Sequence, residues 1–241
     1  MFSLISLFFV LNASANTVLP YHPETDALCF KNADPELANA GVPILGKLGV
    51  EQGVCQGIAG VTAAFLENAT FVPELPSTGN QQEVRTLIQK LVSLHQSGER
   101  SLTLITGSKN IKEFCGKNKK EVMRAAILYN AEIAADEILP LLPQLFTLKK
   151  KSLRGPGDQE QLLHELRSIE TTLQNGRYPL MLYFKHVVMV TAFNEVFSSF
   201  GREIHLTVYD SNHPDEIVTH VYPLEMNGLP MQSNYMVWNL R

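Results

Sequence analysis

The run His186-Val187-Val188-Met189-Val190-Thr191-Ala192-Phe193 decides the fold, because apolar and β-branched residues follow one another there without a helical period. It reads as a strand over Val187 to Phe193, opened by His186. Runs of the same texture flank it: Leu180 to Phe184 before, then Ile204 to Tyr209, Ile217 to Tyr222 and Tyr235 to Leu240. The connections between them are short, as antiparallel neighbours allow and parallel ones do not. Upstream the apolar residues recur at helical spacing. Ile58, Val61, Thr62 and Phe65 predict a helix that starts near Cys55 and ends before Asn68, and Val84, Leu87, Ile88, Leu91 and Leu94 predict one within 77–97. A longer helix is expected over 110–142, stopped where Pro140 and Pro143 remove backbone donors. Another is expected over 158–175, capped by Asp158 and closed by Asn175-Gly176. The fold class is therefore α+β, with a helical half over about 44–176 and an antiparallel sheet over about 177–241.

With 241 residues and 45% apolar content, the chain can bury one sizeable core, so 16–241 is expected to form a single domain. A net charge of −4 with both signs intermixed speaks against nucleic acid as a partner. The one basic run, Lys149-Lys150-Lys151 with Arg154, leads into Gly155-Pro156-Gly157 and reads as a solvated loop. Residues 1–11 are almost wholly apolar and Ala13-Ser14-Ala15 supplies a small-x-small pattern, although no Lys or Arg precedes the apolar stretch. This is the pattern of a secretory signal peptide over 1–15, and it predicts export to the periplasm or beyond. The stretch is shorter than the ~20 residues a membrane helix needs, and no later one reaches that length, so stable membrane insertion is not expected. From Asn16 to about Gly49, scattered Pro and Gly predict an irregular, surface-wrapping segment that is either an ordered strap or an inhibitory pro-region. Asn68-Ala69-Thr70 matches the N-glycosylation acceptor pattern.

Three cysteines in an exported chain divide naturally into one pair and one free thiol, Cys29 with Cys115 and Cys55 alone; three reduced thiols are the alternative. The histidines outside the strand run show no metal-ligand spacing with cysteine, so neither metal nor cofactor is expected.

Cys55 stands in Gly53-Val54-Cys55-Gln56-Gly57, at the first turn of the predicted helix. Free N–H groups and the positive dipole end at a helix N-terminus favour a thiolate over a thiol. A cysteine nucleophile also needs a base, and a third group to orient the imidazole. His186, opening its strand, and Asp210, following the next, fill these roles; Asn212, two residues on, is the runner-up orienter. The bland readings are a buried cysteine, a core histidine and an Asx turn.

Helices first and sheet second, with Cys at a helix start, His opening a strand and Asp at the end of another, resembles the papain-like cysteine peptidases. Gly53-Val54-Cys55-Gln56-Gly57 and Tyr209-Asp210-Ser211-Asn212-His213-Pro214 are similar to motifs of bacterial members, the YopT-type effector proteases and the bacteriocin-processing peptidases. The separation of Cys55 and His186 falls within the ~130–150 residues of the papain type. The resemblance implies a thiol hydrolase acting on a protein or peptide substrate, with Cys55, His186 and Asp210 catalytic. It also implies an oxyanion site made by the Cys55 N–H and a side-chain amide. Papain-type enzymes place a Gln six residues before the Cys; here position 49 is Gly, and Gln52 is the candidate substitute. Lys185 stands where relatives often carry Gly. A deamidase or transferase using the same triad, and a scaffold that keeps the fold without the chemistry, are the alternatives.

Overall fold

The computed structural model describes residues 16–38, 54–77, 79–133, 156–183, 186–198, 201–226, 229–230 and 237–240. It is α+β, as expected. Among the described residues the helices are α1 (Pro23–Asp26), α2 (Pro35–Ala38), α3 (Cys55–Asn68), α4 (Gln81–Ser97), α5 (Ile111–Lys117), α6 (Lys119–Ile133) and α7 (Pro156–Gln174). The strands are β1 (Thr17–Val18), β2 (Ala69–Val72), β3 (Thr103–Thr106), β4 (Leu180–Tyr183), β5 (His186–Ser198), β6 (Gly201–Tyr209), β7 (Val218–Met226), β8 (Leu229–Pro230) and β9 (Val237–Leu240). The main sheet is antiparallel in the order β8-β7-β6-β5-β4-β9, and β1 pairs with β5.

The strand β5 organises the sheet because both of its faces are buried. Val187 and Met189 enter a core shared with α3, α4, α5 and α6, while Val188, Val190 and Phe193 enter a second core against Leu162, Leu166, Ile169 and Leu173 of α7. This is why the stretch reads as continuous apolar sequence rather than alternation. Antiparallel pairing with β4 joins Tyr183 to His186 and Leu180 to Met189, and β6 joins Tyr209 to Met189. These pairings bring the start of β5 and the end of β6 into one corner.

The helix α3 lies on β5 and packs against α4 and α6. It is buried from Cys55 through Phe65. Close approach to α6 depends on two glycines: a Cβ at Gly57 would overlap the Ala126 carbonyl, and one at Gly60 would enter the Tyr129 ring. At its far end the buried Glu67 accepts from the Tyr178 N–H at 2.8 Å and meets His95 Nδ1 at 2.8 Å, which ties α3 to α4 and to the approach of β4.

Several elements depart from the sequence expectations, each for a local reason. The expected 110–142 helix breaks at Asn118, whose N–H bonds back to Cys115 O and Phe114 O while its own carbonyl receives the Glu121 and Val122 N–H groups. One residue thus closes α5 and opens α6. The strands β2 and β3 form a parallel two-stranded sheet inside the helical half, where none was expected. Helix α7 starts at Pro156, not at Asp158, and closes at Gly176 with φ 71°. The described part of the N-terminal segment is not merely surface-wrapping. Ala27, Leu28, Phe30 and Leu37 are buried, β1 extends the sheet, and Leu19 N–H bonds to Thr191 O at 2.9 Å. Asn68 is fully buried and accepts the Ser101 N–H, so it is not a glycosylation acceptor in the folded chain. No helix among the described residues is long and apolar enough to cross a membrane.

A disulfide joins Cys29 to Cys115, with Cα atoms 5.6 Å apart, and Cys55 is free. It ties the N-terminal strap to α5. Cross-linking residues 86 apart in sequence removes unfolded-state entropy equivalent to roughly 4–5 kcal/mol. The double variant C29S/C115S should therefore lose most of that stability in urea unfolding under non-reducing conditions. Substituting Gly57→Ala overpacks the contact between α3 and α6, with an expected loss of roughly 1–3 kcal/mol in the same measurement.

Candidate active site

Cys55 is the first residue of α3, and Val54 before it provides no side-chain cap. The first intrahelical bond runs from Ile58 N–H to Val54 O, so the N–H groups of Cys55, Gln56 and Gly57 have no helical acceptor. These donors lie in the same turn as the sulfur. The Cys55 side chain turns toward β5, where its Sγ accepts the Val187 N–H at 3.4 Å. Cys55 is 8% exposed.

His186 bridges from this sulfur to the end of β6. Its Nε2 lies 2.6 Å from Asp210 Oδ1. A carboxylate only accepts, so the proton sits on Nε2, and the other ring nitrogen, Nδ1, is the one left for the hydrogen bond with the Cys55 thiol. Burial by itself would lower the pKa of His186; hydrogen bonds to Asp210 and Cys55, and their charges, outweigh it and raise the value to about 9. Asp210 is held below the usual carboxylate range: its burial acts upward, but His186 and the Asn212 N–H, at 2.8 Å from Oδ1, outweigh it. His220, on β7, is also close. Burial lowers its pKa, with Asp210 acting against that shift and His186 with it.

Asn212 is exposed and places Nδ2 3.3 Å from His186 Nε2. Because Nε2 carries the proton directed at Asp210, and an amide nitrogen only donates, Nδ2 makes no hydrogen bond to it; the Asn212 side chain lies beside the pair. Cys55, His186, Asp210 and Asn212 thus converge. Gln52 and Lys185 lie outside the described residues. Gln56, beside Cys55, is buried with Nε2 lacking a partner among the described residues. Two neighbours escaped the sequence reading. His220 carries no signal in a strand of mixed polarity, and Asn32 sits in a segment without periodicity. Its N–H bonds to Ser211 O at 3.0 Å, and its Nδ2 donates to Asn212 Oδ1 at 3.1 Å. Among the described residues, no group of three or more His, Cys, Asp and Glu converges on a metal position.

A buried thiol, an imidazole and a carboxylate in series can store a negative charge on sulfur and a positive charge on the ring, and can pass one proton in and out. No protein family model matches the chain, and neither a curated protein nor a solved structure is significantly similar to it.

The raised pKa of His186 has a stability consequence of definite sign. The folded value, about 9, exceeds the ordinary 6.5, so the protonated ring stabilises the fold fully below about pH 6.5, and this contribution is lost as pH rises through 9. The difference in melting temperature between wild type and His186→Ala should therefore be largest at pH 6 and shrink by pH 10. A difference that is flat across that range contradicts the assignment.

Proposed function

We propose that this chain is an exported cysteine hydrolase of the papain-like type, cleaving a peptide or amide bond through a thioester intermediate. The observation that carries the reading is the convergence of Cys55, His186 and Asp210: the His186 Nε2 lies 2.6 Å from the Asp210 carboxylate, and the Cys55 sulfur accepts the N–H of the next residue, Val187, at 3.4 Å. Three further features support it. The sulfur lies in the first turn of a helix, whose leading N–H groups have no helical acceptor and would meet an oxyanion formed there. The order of helical half and antiparallel sheet agrees with that architecture. The Cys29–Cys115 disulfide agrees with residence in an oxidising compartment, as the apolar N-terminus predicts.

In this reading the Cys55 thiolate attacks the carbonyl carbon, and the new C–S bond pushes the carbonyl electrons onto oxygen. The Cys55 N–H, with a side-chain amide as second donor, holds that oxyanion. Collapse breaks the C–N bond, and the proton on His186 Nδ1 leaves with the amine. The neutral ring then takes a proton from water, whose oxygen attacks the thioester; collapse of that adduct releases the acid and returns Cys55 as thiolate beside a protonated His186. Asp210 accepts from the Nε2 N–H throughout and holds the imidazole in its orientation. An amine acceptor in place of water makes the same machinery a transferase, and a glutamine side chain as substrate makes it a deamidase.

One observation favours the second reading, a binding module without chemistry: the low exposure of Cys55. Reactivity separates the two. In a hydrolase, iodoacetamide should modify Cys55 rapidly at pH 6, where an ordinary thiol with pKa near 8.5 is almost wholly protonated. His186→Ala should lower that pH 6 rate by roughly tenfold or more, and Cys55→Ala should abolish both the labelling and peptide hydrolysis. A wild-type rate that simply tracks an ordinary thiol's ionisation would sink the hydrolase.

A further inference from the structure

The turn that follows β6 carries Asp210, and its contacts with the rest of the chain meet at one cross-link. Ser211 O accepts the N–H of Asn32, in the N-terminal strap, at 3.0 Å, a bond between backbone groups. Asp215 is met from two sides: Lys112 Nζ of α5 lies 3.2 Å from its Oδ1, and Lys31 Nζ of the strap 4.0 Å from its Oδ2. Lys31 and Asn32 stand just after Cys29 in sequence, and Lys112 one helical turn before Cys115. The Cys29–Cys115 disulfide therefore joins the two segments that hold the turn.

None of these contacts is strong alone. The ion pairs of Asp215 are exposed and contribute little by themselves. A single backbone bond is worth about a factor of five in an equilibrium. The contacts act on the turn together only while strap and α5 keep their spacing, and a cross-link with Cα atoms 5.6 Å apart fixes that spacing. Elsewhere the strap is held without it. Ala27, Leu28 and Phe30 are buried, and Leu19 N–H bonds to Thr191 O at 2.9 Å. Opening the disulfide thus loosens the corner around the turn and leaves the core in place.

What loosens there is the partner of the imidazole. Asp210 Oδ1 lies 2.6 Å from His186 Nε2 and also accepts the Asn212 N–H at 2.8 Å, while Asp210 O accepts the His213 N–H at 2.9 Å. These local bonds make the turn move as a unit. A shift of Ser211 or Asp215 therefore carries the carboxylate away from the ring.

We infer that the Cys29–Cys115 disulfide is an activating cross-link: its formation clamps the turn that carries Asp210, so the thiol site becomes competent only after the chain has been oxidised. The inference rests on the cysteine-hydrolase reading and adds its regulation. In forming, the two thiols give up two electrons and two protons to a disulfide oxidant, which becomes a pair of thiols. A dithiol reductant reverses this in two exchanges. Its first thiolate displaces one cysteine sulfur to give a mixed disulfide; its second displaces the other, leaving Cys29 and Cys115 as thiols and the reductant as a cyclic disulfide.

The probe is iodoacetamide, with the Cys55 peptide followed by mass spectrometry so that no other thiol counts. Three samples are compared: the oxidised protein, the same protein reduced by dithiothreitol and then freed of it, and Cys29→Ala/Cys115→Ala. The ionisable groups that face His186 are Cys55 on α3, Asp210 after β6 and His220 on β7; His213 acts on Asp210, and Lys31 and Lys112 meet Asp215. All of them are the same in the three samples. At pH 6 the oxidised protein should label Cys55 about fivefold faster than either of the others, the scale of the one backbone bond between strap and turn. Above about pH 9.5 an ordinary thiol is ionised without help, and the three rates should agree within about twofold. Circular dichroism and a cooperative urea transition should show all three folded. An oxidised protein that labels like an ordinary thiol at every pH overturns the hydrolase reading and this role together. Fast labelling at pH 6 in all three folded samples overturns the activating role alone. So does loss of the fold in both samples without the disulfide, because the cross-link is then a staple of the whole domain.

Discussion

The placement of α3 is the constraint on which the rest depends. This helix is buried from its first residue, with α4 and α6 on its flanks and β5 across its front. A helix so enclosed cannot slide without opening a cavity on one side and a clash on the other. Gly57 and Gly60 set its distance from α6, and the Glu67 carboxylate pins its C-terminal end through bonds from the Tyr178 N–H and His95. What remains fixed is the N-terminal turn. Cys55 therefore meets the Val187 N–H and the His186 ring as a result of core packing.

The sheet supplies the other half of the geometry through register. Pairing Tyr183 with His186 puts the histidine at the mouth of a tight β-hairpin, and pairing Met189 with Tyr209 sets Asp210 just past the sheet, beside it. A slip of one residue in either ladder would turn the whole apolar set of β5 inside out. Both faces of β5 are covered by different cores, so that slip is strongly resisted. Two buried contacts, helix on strand and strand on strand, thus determine three side chains at once.

Much of this was legible in the sequence, and the reasons for success and failure are physical. Long amphipathic helices such as α4 announce themselves by period, and β5 by its unbroken apolar texture. That strand runs past Phe193 to Ser198, because Asn194 and Glu195, which look like turn residues, are accommodated within it. Glu195 is nearly buried between Arg167, at 2.9 Å, and Arg202. The short parallel pair β2 and β3 gave no signal, since four-residue strands owe their existence to tertiary pairing and not to propensity. Cys55, His186 and Asp210 were readable because their residue types carry chemistry at element ends. Asn32 was not. Its meaning comes from a contact across the whole chain, and nothing in a Pro- and Gly-punctuated segment marks one asparagine as aimed at another.

In the proposed exported hydrolase, conditions that join Cys29 to Cys115 would also threaten the free thiol of Cys55, and the position of that thiol limits the threat. The two cysteines that could trap Cys55 are bonded to each other, so no second free thiol remains to form a disulfide with it. At 8% exposure, its sulfur faces the Val187 N–H and the His186 ring instead of solvent. Oxidation begins with attack by the thiolate on an incoming oxidant, so limiting approach slows it whatever the charge on sulfur. In that reading the same enclosure also limits approach by a substrate. In the proposed hydrolase, a substrate carbonyl would meet the sulfur near the start of β5 and the turn that carries Asp210. The strap holds that turn through Asn32 and is itself held by the disulfide. The Cys29–Cys115 cross-link is thereby connected, through the strap, to the turn that follows Asp210.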